Sequence, residues 1–137
     1  MNKNMILLSF ALGLLVLPAR ASDDHTPLED QMESMNDAYK GFRRETDPVK
    51  GANEARAAQT AALKAAAEVP AMVKAMPEGP EKAKAMAAYR KMIGQLYVSL
   101  CEVEEAFLNG KIEEVATIVD SLKKQKKAGH EQFIEEE

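Results

Sequence analysis

From Pro27 to Phe133 apolar residues return every third or fourth position, and the pattern is broken at only a few places. That period is the signature of amphipathic helices and leaves almost no room for strand. Alanine, leucine, glutamate, lysine and methionine dominate the stretch, all strong helix formers. The first helix is expected over Pro27–Arg44, with Thr26 as cap, Pro27 in the first position and Glu29 and Asp30 facing the positive end of the dipole. Its apolar stripe is Leu28, Met32, Met35, Tyr39 and Phe42. Asp47 and Pro48 open a second helix that Pro70 ends or kinks, and "AMVKAM" adds one more turn before "PEGP". The third helix is expected from Glu81 to Leu108, burying Tyr89, Ile93, Leu96, Leu100, Val103 and Phe107. At "NGK" the chain reverses, with Gly110 in the left-handed region, and the fourth helix runs from Lys111 to Phe133. It buries Ile112, Val115, Val119, Leu122 and Phe133. Four such helices with short connections pack as an all-α, antiparallel, up-down-up-down four-helix bundle.

Ahead of the helices stands a segment of a different kind. "MNKN", the apolar run "MILLSFALGLLVLP" and the small residues of "ARA" have the layout of a secretory signal peptide cleaved after Ala21. The apolar run falls short of the ~20 residues a membrane span needs. Residues 1–21 are therefore expected to be removed, leaving one domain over residues 22–137 in the periplasm. Their loss takes Lys3 and Arg20 and no acid, so the charge becomes 16 against 22, or −6. That balance argues against nucleic acid and anionic membrane and suits a basic docking partner. A lone Cys101 forms no internal disulfide, and nothing near it in sequence points to a function.

In this topology the start of the first helix and the end of the fourth lie at one end of the bundle. Met32 belongs to the first apolar stripe, and His130 falls on the inner flank of the fourth. Lys126, one turn before His130, falls well inside that stripe, an odd place for a lysine in a plain core. Singly, a stripe methionine fills the core, a histidine near a helix end meets the dipole, and a lysine snorkels. Together they set a thioether and an imidazole toward one space with a cation beside them, a set that matches Met/His ligation of haem iron. Di-iron bundles need Glu-x-x-His pairs, but Lys127 stands three before His130 and Ser22 three before His25. No C-x-x-C-H precedes His130, so any haem is held non-covalently. No serine or cysteine nucleophile pairs with a histidine in a hydrolytic motif, and the chain is not expected to be an enzyme. His25 reads as a solvated residue ahead of the first helix.

Two other readings stay open on the residues alone. Methionines at 32, 35, 72, 76, 86 and 92 suit a haem-free periplasmic chaperone, or a stress- or metal-sensing interaction protein. Met72 and Met76, one turn apart, are thioethers of the kind that favour Cu(I).

The chain resembles the cytochrome b562 family. "LEDQMESMNDAYK" looks like that family's first helix, with Met32 at the axial methionine. "AALKAAAEVP" is similar to the end of its second helix, "YRKMIGQL" to its third, and "NGKIEEV" to its Gly-Lys turn, from which the count places His130 at the axial histidine. The resemblance spans Leu28 to Phe133. It implies one haem b at one end of the bundle, between the first and last helices, with Met35, Tyr89 and Ile93 among the pocket walls and Lys126 near the haem edge or a propionate. It further implies a monomeric one-electron carrier serving an unidentified redox partner. The chain departs from the family pattern at Lys126, where an arginine can stand, which loses planar bidentate bonding. Ile134 replaces a second arginine. Gly129, beside His130, either loosens the last turn or admits a close porphyrin face.

Overall fold

The computed structural model of the chain describes residues 25–134. The expected signal peptide, residues 1–21, and the acidic residues 135–137 lie outside the described residues. Five helices follow one another: α1 Pro27–Phe42, α2 Pro48–Ala66, the single turn α3 Ala71–Lys74, α4 Pro80–Leu108 and α5 Ile112–Phe133. The four long ones form the antiparallel bundle, and α3 is the extra turn inside the connection between α2 and α4.

The ends are set by local chemistry. Thr26 and Glu29 form a reciprocal capping box: the Thr26 amide donates to Glu29 Oε2 at 2.6 Å, and the Glu29 amide donates to Thr26 Oγ1 at 3.2 Å. Asp47 Oδ1 accepts from the amides of Val49 and Lys50 at 3.0 and 2.9 Å. Gly110 has φ +68°, its amide donates to the Phe107 carbonyl and the Lys111 amide to that of Ala106, a Schellman closure of α4. Helix α1 stops two residues before the expected Arg44. Helix α2 stops at Ala66, four short of Pro70, and Val69, restricted by the proline that follows it, lies outside the helix.

The core runs the length of the bundle, with Phe42, Tyr89, Ile93, Val103 and Phe107 its largest fully buried side chains. The face that α2 turns inward is made of small residues: Gly51, Ala52, Ala55, Ala58, Ala61, Ala62 and Ala65 are all buried. Small side chains let helix axes approach toward the short end of the 8–10 Å range. Helices α1 and α4 accordingly pack closely on α2, and α5 packs on α4, but no Cα of α1 lies within 8 Å of a Cα of α5. The bundle thus has three closed seams and one open one.

Candidate functional site

The open seam collects the residues singled out in the sequence. One side-chain hydrogen bond among the described residues bridges it: Lys126 Nζ of α5 lies 3.4 Å from Asn36 Oδ1 of α1. Met32 stands four residues before Asn36, and His130 four residues after Lys126. Because the two helices run antiparallel, each step of one turn, ~6 Å, leads toward the same end of the bundle. Met32 and His130 therefore sit at one level on opposite sides of the seam. Met32 is half-buried against the core and the His130 side chain is exposed.

Lys126 is exposed as well, although the helical period sets it well inside the apolar stripe. The reason is the open seam: a stripe is buried only where a neighbouring helix covers it, and α1 does not cover this part of α5. Met35, Tyr89 and Ile93 lie deeper, at 8%, 1% and 2% exposure. They are packed into the core beneath the seam. The Tyr89 hydroxyl donates to the Ala65 carbonyl at 2.6 Å, and its ring meets Phe133 edge-on at 5.5 Å. Burial pushes the phenol up to about 12, and the carboxylate of Glu68 adds to the shift. This hydroxyl is thus committed to α2 and offers no donor to a ligand.

Gly129 faces α4. A Cβ there would stand 2.8 Å from Met92 Sδ, so its missing side chain receives a methionine of the neighbouring helix, which neither sequence alternative anticipated. Gln125 donates to Ser99 Oγ at 2.8 Å and fixes the register of α5 on α4, with its own Oε1 buried and unpaired. Asn36 is the seam residue that the sequence reading passed over; its place one turn beyond Met32 on the same flank was the available signal. The other candidates lie apart. Met72 and Met76 are in and just after α3, Cys101 is half-buried in the last third of α4, and His25 lies 3.9 Å from Asp30 ahead of the seam. A surface cavity of about 440 Å³ lies between α4 and α5 near their connecting turn, at the opposite end of the bundle. A second, of about 200 Å³, lies beside α3. Neither contains a seam residue.

A helical bundle with one unclosed seam, carrying a thioether on one lip and an imidazole on the other, is suited to a flat ligand held edge-in between two helices. Both donors are ordinary axial ligands of haem iron, and the apolar floor beneath them is what a porphyrin face requires. The residues present fit haem. The model of the cytochrome b562 family matches residues 27–133, and the chain belongs to that family. Cytochromes b562 are periplasmic proteins that bind haem b and carry electrons. No curated protein matches the chain. Among the described residues no helix is long and apolar enough to cross a membrane.

Proposed function

We propose that the chain is a periplasmic b-type cytochrome, a one-electron carrier that holds a single non-covalent haem b in the α1–α5 seam. What supports this reading is the Lys126–Asn36 contact across the open seam, from which Met32 and His130 each stand one turn toward the same end of the bundle. His130 supplies the strong nitrogen donor and Met32 the weaker thioether. Met35 and Ile93, with the Tyr89 ring, exclude water from the face turned to the core. Lys126 places a positive charge at the rim, where its Nζ already reaches across to Asn36. When bound, haem b supplies a one-electron iron couple, which a methionine ligand shifts toward higher potential. Held by His130 and Met32 together, the haem would supply electron transfer and not substrate chemistry. Export after cleavage at Ala21 belongs to the same reading, and the intact mass of the periplasmic protein tests it.

Titration of haem into purified apoprotein, followed by its visible spectrum, tests the ligands. His130→Ala is expected to lose most haem retention. Met32→Ala is expected to keep haem with an altered spectrum and a lower potential. Lys126→Ala weakens binding without changing the axial spectrum, and His25→Ala changes nothing. A His130→Ala protein with the parent's affinity and spectrum would remove the assignment.

A further inference from the structure

Whole-chain charge points to a basic partner, but the charge is not spread evenly, and along the α5 lip of the seam its sign reverses. Lys123, Lys124, Lys126 and Lys127 fall within five residues of α5, and all are exposed. Lys123, Lys127 and His130 stand at i, i+4 and i+7, so they share one flank of the helix, with Lys126 beside them. On α5 itself the acids beside this row, among the described residues, are Asp120 and Glu131. Asp120 lies 3.2 Å from Lys123 and Glu131 lies 3.8 Å from Lys127. Both are exposed pairs on the helix itself, which bind weakly and leave the row net positive. Lys126 meets an amide oxygen, not a carboxylate. The far end of the same α4–α5 hairpin is the reverse: Glu102, Glu104, Glu105, Glu113 and Glu114 stand there against Lys111. On the α1 lip of the seam Glu29 and Glu33 are exposed and acidic.

Distance decides which of these charges an approaching protein meets. From Glu114 to His130 along α5 is ~24 Å at 1.5 Å per residue. The Debye length is ~10 Å at 0.1 M salt, so the acidic end is screened from anything touching the seam. We propose that the α5 lip of the seam, formed by Lys123, Lys127 and the residues around His130, is the docking surface for a redox protein with an acidic patch. The acidic α1 lip repels that patch and so sets the partner's orientation across the seam. This rests on the haem reading above.

The experiment uses the full mature chain loaded with haem, its loading read first from the spectrum. Its reduced form is mixed in a stopped-flow instrument with hexacyanoferrate(III), an anionic one-electron oxidant, and with tris(phenanthroline)cobalt(III), a cationic one, at rising salt. The anionic oxidant is expected to react more slowly as salt rises, although the protein as a whole is negative, and the cationic one is not. Lys123→Gln/Lys127→Gln is expected to slow the anionic reaction several-fold at low salt and flatten its salt dependence. Lys50→Gln/Lys111→Gln removes the same charge at the other end and is expected to leave both within about twofold. Equal slowing by the two pairs, or an anionic rate that rises with salt, means that total charge governs approach and overturns the proposal. Attraction that shows only after deleting Glu135–Glu137 overturns it too, since those acids then neutralise the lip in the full chain. A chain that takes up no haem removes the underlying reading and the docking surface with it, and the loading spectrum separates that outcome from the others.

Discussion

At the scale of single residues, two glycines in similar helices are expected to behave in opposite ways. Gly51 of α2 is buried, and a Cβ there would stand 2.3 Å from the ring of Phe107, itself fully buried in α4. Replacing a helical glycine by alanine ordinarily gains ~0.5–1 kcal/mol. Here a ring with no free space must move, and overpacking of that kind costs ~1–3 kcal/mol. Gly51→Ala is therefore expected to be net destabilising. Gly94 of α4 has nothing within 4 Å of the same construction, so Gly94→Ala is expected to keep the gain alone. Urea unfolding of the two variants checks both signs. Tyr89 gives a third test. Its hydrogen bond to Ala65 is worth ~0.5–1.5 kcal/mol, and Tyr89→Phe is expected to lose about that much. The phenol is pushed up to about 12 in the folded chain, above its ordinary value of ~10. The folded state therefore holds the proton more tightly. That contribution is complete below pH ~10 and is lost as pH rises toward 12. Unfolding measured between pH 9 and about 12 is expected to show a slope that Tyr89→Phe reduces.

At the scale of elements, helix ends and helix partners have different origins. The caps at Thr26 and Asp47 and the reversal at Gly110 were legible because each is a bargain among residues a few positions apart. Partner choice depends on side-chain volume. The alanine face of α2 draws α1 and α4 together, whereas toward α1 the last turns of α5 offer Lys126 and His130 in place of large apolar side chains. Helix α5 leans on α4 and touches α3, but gets no backbone contact from α1. Its segment from Leu122 to Phe133 is expected to exchange amide protons faster than the stretch of α4 beside it, around Tyr89 to Ser99. Haem in the seam would bridge α1 and α5 and is expected to slow that exchange most. Equal protection of the two segments in the haem-free chain would contradict this account.

At the scale of the whole molecule, a ligand that binds the folded bundle and not the unfolded chain raises stability through mass action. At about 100-fold excess over its dissociation constant the gain is ~2.7 kcal/mol. Haem-saturated protein is expected to melt above the apoprotein, and equal melting temperatures would count against a specific site.

By itself the sequence determined the four long helices, their caps and breaks, and the apolar stripes that face the core. Periodicity and capping act over four residues or fewer, so one strand of text contains them. Only the tertiary structure decided that the α1–α5 seam stays open and that Lys126 and His130 are exposed along it. Only there does Gly129 become a seat for Met92, with Met35, Tyr89 and Ile93 packed into the core beneath the seam. Each of these turns on how near two helices come when their contact residues lie far apart in the chain, as Asn36 and Lys126 do. That spacing is set by the summed volumes of both faces and of the helices behind them, which no single stretch of the chain records.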